Sequence, residues 1–467
     1  MSLMATILIN LKDIIIDPDS TVDLAALPAG DAMDRVKTSY GFLASSVDVS
    51  IANGAAVINL KEPPAHKVAD AEKTYNKAVQ DAQQGDYAKA IKRFQQVIEI
   101  LPLHIDARRN LAMAYLELKN FAKAKEHLLE CSQLDPNNVW TLILLGNLYG
   151  KNERNFPVAE FYYEKGFSVN PNDSILLNNY AALKMELKDY SGAQDLFNKA
   201  LAADPSYPNT YLGLSMLYQS MGKVEDAAQV LEKLFNQPKS SDIRSTPFYH
   251  YARDLYLDLN KQHAEKDFDR MMGAISIQQK KLGEETGFPV QIIEDNTLEY
   301  ISGTAQMAWK HNRRDHVIRY RNKSAAMTPH LLVHEMEHIV LEHNARQAKR
   351  NKFFMTTATT REHSIRSVGD HILKLKKQGY QEEQLASIIP DIISGLCNQL
   401  FNCPIDMIVE HNLYEKYPAM RSSQIVSLQQ LNLEAMKVFT SQDIKRFTPP
   451  LHVSCQHHIK LRHGTFC

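Results

Sequence analysis

The densest run of reactive side chains in the 467-residue sequence is His334-Glu335-Met336-Glu337-His338. Two histidines four apart on a helix project from one face, about one turn apart, and can share a metal ion. A glutamate beside the first histidine can reach a metal-bound water and act as general base. The chemistry implied is hydrolysis with zinc as cofactor, His334 and His338 as ligands and Glu335 as base. A third ligand is needed. His343 lies nine residues after His334, near the opposite side of an unbroken helix. Glu342 shares the face of His334 and His338, but three ligands strung along one straight helix cannot surround an ion tetrahedrally.

The elements that must hold these residues are legible around them. Thr328-Pro329 reads as a helix start, with threonine at the N-cap and proline at the first helical position. Leu332, Val333, Met336, Ile339 and Val340 give that helix a buried face, and no glycine or proline breaks it through Lys352. Residues 315–322 (DHVIRYRN) read as a strand. A strand leading into an HExxH helix resembles the zincin metallopeptidases. The resemblance implies that the strand at 316–321 lies at a sheet edge and pairs with an extended substrate, over a cleft floored by the helix. Similarity to the gluzincin branch implies a third ligand from a later helix, in the segment 402–410. Asp406 and Glu410 are four apart there and share a face. One would bind zinc and the other would hydrogen-bond a ligand histidine and orient it. Gluzincins often show Glu-xxx-Asp, whereas the order here is Asp-xxx-Glu. Asp406 is taken first and Glu410 is kept beside it.

Upstream, an internal period runs from about residue 70 to 240. Tyr87/Ala90, Phe121/Ala124, Phe156/Ala159, Tyr190/Ala193 and Val224/Ala227 repeat a bulky residue three before an alanine, the alanines being 34, 35, 34 and 34 apart. Bulky residues recur four after each alanine (Phe94, Leu128, Tyr163, Phe197, Leu231), and Ala78, Ala112, Gly146, Ala181 and Ser215 occupy an equivalent position on the preceding helix. Prolines 102, 136, 171, 205 and 238 end the units. Small residues let two helices approach, bulky ones fill the space, and proline stops the second helix. The pattern resembles the tetratricopeptide repeat, about five units long, which implies a solenoid with a concave groove for a protein or peptide partner. One branch of that family clamps a C-terminal carboxylate; of the matching positions here (Tyr75, Val79, Asn110, Trp140, Leu144) only Asn110 fits. An apolar groove around Trp140, Ile143 and Leu144 is expected instead.

Residues 1–66 have another rhythm. Residues 7–16 read as a strand, 31–46 as a helix, and 47–60 as a hairpin turning at Asn53-Gly54. The expected fold is mainly α: a tetratricopeptide solenoid at 67–240, a small N-terminal α/β module at 1–66, a C-terminal α+β zincin-like domain at 241–447 and a tail at 448–467.

Composition narrows the classes. With 53 basic and 54 acidic residues the net charge is -1, which argues against a nucleic-acid binder. The basic cluster Lys310, Arg313, Arg314, Arg319, Arg321 and Lys323 reads as a solvated surface. Five cysteines without CxxC favour a reducing compartment. The N-terminus is a poor signal peptide, no run approaches membrane-spanning length, and the expected location is cytoplasmic. His363, His371, His411 and Tyr414 could polarise a carbonyl, but no spacing selects one. The His/Cys-containing tail is read as flexible. The resulting function is a zinc peptidase whose repeats recruit substrates or regulators. The alternatives are a non-enzymatic repeat scaffold with a vestigial zincin-like domain, and a zinc hydrolase of a non-peptide amide.

Overall fold

The structure, a computed structural model, describes residues 4–12, 14, 24–43, 47–61, 63–237, 247–298, 302–350 and 358–440. The expected tail and Pro238 lie outside them. The chain is mainly helical and divides into two compact units, Met1–Met221 and Gly222–Cys467.

The first unit opens with β1 (Met4–Asn10), α1 (Ala29–Ser39), β2 (Val47–Ala52) and β3 (Ala55–Lys61). The sheet order is β1-β3-β2, antiparallel throughout. Asn53 and Gly54 both take positive φ, 52° and 73°, so the hairpin turn is the type I′ that an Asn-Gly pair favours. The expected strand stops at Asn10, and its residues 13, 15 and 16 lie outside the described residues. The expected helix stops at Ser39 rather than running to residue 46. A 3₁₀ turn over Gly41–Leu43 follows and buries Leu43. Ile9, Val36, Tyr40, Leu43 and Ile58 form a core together with Leu134 of the repeats. The Tyr40 hydroxyl donates to the Gln133 carbonyl at 2.6 Å, so the module is anchored to the solenoid.

The repeat helices come in pairs: α2 (Ala65–Gln83) with α3 (Tyr87–Ile100), α4 (Ile105–Glu117) with α5 (Phe121–Leu134), α6 (Val139–Asn147) with α7 (Phe156–Val169), and α8 (Ser174–Glu186) with α9 (Tyr190–Ala203). α10 (Pro208–Ser220) closes the unit. The recurring alanines and the bulky residues four after them are buried at every repeat. The residues three before the alanines are only half-buried or exposed, so the bulky set at Phe94, Leu128, Tyr163 and Phe197 fills the helix interface. Asp86, Asn120, Asn155 and Asp189 each cap a second helix by accepting a backbone N–H three residues on. The one 35-residue spacing has a structural cause. Its extra residue is taken up as a π-helical turn over Leu148–Glu153, ending at Arg154 with φ 54°. Ile143 is buried in the core and cannot line a groove, whereas Trp140 remains 38% exposed.

The second unit comprises α11 (Val224–Phe235), α12 (Pro247–Lys266), α13 (Phe268–Thr286), β4 (Val290–Glu294), β5 (Gly303–Gln306), α14 (Ala308–His311), β6 (His316–Tyr320), α15 (Thr328–Gln347), α16 (Ala358–Ser367), α17 (Gly369–Lys377), α18 (Glu382–Lys416) and α19 (Arg421–Thr440). Its sheet is ordered β4-β6-β5, with β4 parallel and β5 antiparallel to β6. The core joins Met271, Ile275 and Leu282 of α13, Ile318 of β6, Leu332, Met336 and Ile339 of α15, and Val409 and Leu413 of α18. This settles one expectation negatively. The strand read at 316–321 is central, paired on both edges, and cannot add a substrate strand; β5 lies at the edge.

Two helix limits also differ. Met327 rather than Thr328 is the N-cap of α15, because the Thr328 hydroxyl is committed to the Ser324 carbonyl and the Asn322 side chain, both at 3.0 Å. α15 stops at Gln347, short of the Lys352 through which the sequence holds no glycine or proline. The sequence after it offers no apolar residue larger than Ala348 before Phe353, and Lys349 turns the chain with φ 51°.

Candidate metal centre

α15 carries His330, His334 and His338 at four-residue intervals, so all three face one way. The buried stripe Leu332, Val333, Met336 and Ile339 seats the helix in the core and fixes which way that face points. Opposite lies α18, with Asp406 and Glu410 one turn apart. α18 starts at Glu382 with a Gln381/Gln384 capping box and contains Pro390 and Pro404. The acidic pair therefore sits deep in a long helix, not at a helix start near Pro404.

The Nε2 atoms of His334 and His338 face each other at 3.1 Å. Asp406 Oδ1 is 3.2 Å from His338 Nε2 and 3.8 Å from His334 Nε2. Each of the three residues offers one ligand atom, all within 4.8 Å of one another. Glu410 takes a different place. Its Oε1 accepts from His334 Nδ1 at 2.9 Å, on the far side of the ring from Asp406. Burial alone would raise the Glu410 pKa, but His330 and His334 outweigh it and hold the carboxyl well below the usual range. His334 is moved upward: burial opposes this, but the Glu410 hydrogen bond and charge prevail.

Glu335 is 8% exposed and lies beneath β5. Burial raises its pKa, against the nearby charges of His334 and His338 and the Ala305 N–H that it accepts. Gly303 makes room for it: a Cβ there would stand 3.0 Å from Glu335 Oε1 and 2.9 Å from Leu331 Cδ1. The remaining acid of the motif, Glu337, turns away from the histidine face. It accepts from Asn412 Nδ2 at 2.8 Å and Lys416 Nζ at 2.7 Å.

Several of the side chains set aside in the sequence are engaged elsewhere. Glu342 accepts from Trp309 Nε1 at 2.8 Å and pairs with Lys310, so it supports α14 and not the histidines. The ring of His343 lies 6.0 Å from that of Trp309. The Tyr414 hydroxyl donates to Glu232 at 2.9 Å. Arg319 pairs with Asp295 and Lys323 with Glu434, while Arg313 donates to Gln306 and Arg321 to the Leu298 carbonyl. Much of the basic run thus serves the fold.

Three contributors were not read from the sequence. His330 Nε2 lies 3.0 and 3.2 Å from the two Glu410 oxygens. Gln424 Nε2 donates to Glu410 Oε2 at 2.7 Å, and the Ser423 hydroxyl accepts the His330 N–H at 3.0 Å. The i, i+4, i+8 histidine stripe was a visible signal for His330. Nothing local marks Ser423 or Gln424, which reach the site only because α19 folds back onto α15 and α18.

Comparison with known proteins locates the repeats independently. The family model for the tetratricopeptide repeat matches residues 81–144 and 184–245. The chain carries tetratricopeptide repeats. Human superkiller complex protein 3 is 24% identical over 45% of this chain and 14% of its own length. A BBSome complex member of Bos taurus is 25% identical over 34% of the chain and 31% of its own length. The chain thus spans less than a third of either relative. A repeat protein of Thermus thermophilus, solved by crystallography, aligns with 40% of the chain and 99% of its own, at 20% identity and a TM-score of 0.35. Among the described residues no helix is long and apolar enough to cross a membrane.

Proposed function

We propose that the protein is a tetratricopeptide-repeat interaction scaffold that carries a divalent metal site, zinc being the expected ion, in its second unit. The scaffold reading rests on the repeat itself, whose small and bulky positions pack in register from α2 to α9. The human and bovine relatives are named as members of complexes, and repeats of this kind commonly hold protein segments. Exposed Trp140 is an aromatic anchor on offer, while Asn110 is engaged with the Tyr75 hydroxyl at 3.1 Å and is not free to clamp a carboxylate. Affinity capture with the full chain should recover a protein partner that Trp140→Ala loses. Recovery that is the same with both forms removes this groove reading.

The metal reading rests on the convergence of His334 Nε2, His338 Nε2 and Asp406 Oδ1. Two imidazoles and a carboxylate are a donor set suited to zinc. Glu410 fits the orienting role, since it accepts the Nδ1–H of His334, which keeps the proton on Nδ1 and leaves Nε2 with its lone pair.

A second reading, peptide hydrolysis, is favoured by Glu335. Zinc, when bound, supplies Lewis acidity toward a carbonyl oxygen and toward water. Glu335, buried beside both histidines and raised in pKa, is placed to take a proton from an attacking water. β5, the edge strand above it, is the element along which an extended peptide would pair. A zinc hydrolase of another amide would use the same residues. Near-stoichiometric zinc, lost in His338→Ala, tests the metal site. A peptide and amide library with Glu335→Gln as control tests hydrolysis, and no turnover with the zinc-loaded protein leaves the scaffold with a structural metal.

A further inference from the structure

We propose that His330 is a positioning residue: it orients Glu410, which in turn holds His334 in the tautomer that presents Nε2 to the metal. The inference rests on His334, His338 and Asp406 being the metal ligands. It concerns what lies behind them.

An ionised carboxylate only accepts hydrogen bonds. Glu410 is surrounded by nitrogens: His334 Nδ1 at 2.9 Å, His330 Nε2 at 3.0 and 3.2 Å, and Gln424 Nε2 at 2.7 Å. Each must therefore bring a proton to Glu410. His330 is then protonated at Nε2, and His334 at Nδ1. With its proton on Nδ1, His334 has its lone pair on Nε2, the atom 3.1 Å from His338 Nε2. Without His330, Glu410 would keep Gln424 on Oε2 and His334 on Oε1 but lose the one donor that lies within reach of both oxygens, so the carboxylate would be held less firmly against the His334 ring.

His330 is also held firmly enough to act. It is 4% exposed, and its backbone N–H is fixed by the Ser423 hydroxyl at 3.0 Å. Its Nδ1 is buried with no hydrogen-bond partner. A neutral histidine placed only for packing would be replaceable by an apolar side chain. An unpartnered buried nitrogen is unfavourable, and its retention points to use of the other ring nitrogen.

The same atoms offer a competing explanation. His330, His334 and Glu410 could form a second metal site, their ligand atoms also lying within 4.8 Å of one another. With the first site filled, that would require His334 to give up Nδ1–H and bridge two ions, and would replace the His330 hydrogen bond to Glu410 by a metal. The hydrogen-bonded chain needs neither change.

The experiment uses the full chain in three forms: wild type, His330→Leu and His330→Gln. Zinc affinity is measured by competition with a chromophoric chelator, stoichiometry by elemental analysis, and ligand geometry by the visible spectrum of the cobalt(II) form. The glutamine amide can donate from a place close to Nε2 and serves as the conservative control. We expect one metal per chain in all three, an affinity about 10–100-fold weaker in His330→Leu, and recovery to within about threefold in His330→Gln. The cobalt spectrum should change in the leucine form and return in the glutamine form. Two metals in the wild type, falling to one in His330→Leu, would establish the second site and overturn the positioning role. Equal affinity in all three forms would overturn it too. Failure of the underlying reading looks different: no zinc in the wild type, or zinc retained by His338→Ala, sinks the ligand set itself.

Discussion

The ion pair behind the histidine face sets a measurable link between the two helices of the site. Glu337 has a side chain only 2% exposed, while its partner Lys416 is 50% exposed. The pair joins α15 just before His338 to α18 just beyond Glu410, so it holds the two ligand-bearing helices in register. Tyr417 nearby is pushed up to about 12, first by burial and then by the charges of Glu337 and Glu285. Replacing Lys416 by Met would strand the Glu337 carboxylate with Asn412 alone. Breaking a fully buried pair costs about 3–5 kcal/mol, and exposed pairs are worth about 0–1 kcal/mol. With one partner buried and the other half in water, we expect a loss of about 2 kcal/mol. For a unit of this size that is a fall in Tm of about 4–8 °C. Glu337→Leu with Lys416→Met should recover most of it, because no charge is left unpaired. The assay is urea unfolding of wild type, both single variants and the double variant. The register argument further requires the Lys416→Met protein to bind zinc more weakly. A coupling below about 0.5 kcal/mol, the limit of additivity for independent sites, would refute the reasoning.

Three other outcomes follow from particular contacts. Gly146→Ala should destabilise by about 1–3 kcal/mol although alanine is the better helix former, because the new Cβ would stand 2.7 Å from the Tyr163 ring. Tyr163→Leu in the same chain should relieve the loss, and a stabilising Gly146→Ala in a urea series would contradict the packing account. His316 is fully buried, and burial first, then the charge of His343, lowers its pKa to about 4, against Asp315 and Glu342. The folded state therefore resists protonating it, so its contribution is intact at pH 7 and lost as pH falls from about 6.5 through about 4, by no more than about 3 kcal/mol. Unfolding curves from pH 7 to 4 should show this loss in the wild type and lack it in His316→Phe. Gly303→Ala should displace Glu335 and Leu331 at a stability cost of about 1–3 kcal/mol while leaving the metal ligands in place. Thermal unfolding beside a zinc titration checks both parts, and a zinc affinity that falls more than tenfold would show that the strand shapes the ligand set as well.

Local chemistry made much of the fold readable in the sequence. The repeat announced itself because the same helix pair recurs, and close approach demands a small residue at one fixed place and a bulky one at another. The Asn53-Gly54 turn was legible because few residues adopt two successive positive φ values. His334 and His338 were legible because helical geometry alone puts residues four apart on one face. Other features were decided only by long-range packing. That β6 is central and β5 the edge depends on which strand pairs with which, and residues 316–321 carry no mark of it. The division of labour between Asp406 and Glu410 could not be read from their order. It depends on how α18 lies against α15, which places one beside the Nε2 atoms and the other behind Nδ1. Gln424 and Ser423 joined the site because α19 returns to it from 90 residues along the chain. A sequence fixes what a residue can donate or accept, and periodicity tells which neighbours share its face. Only the folded chain brings distant donors and acceptors within the few ångströms over which those capacities act.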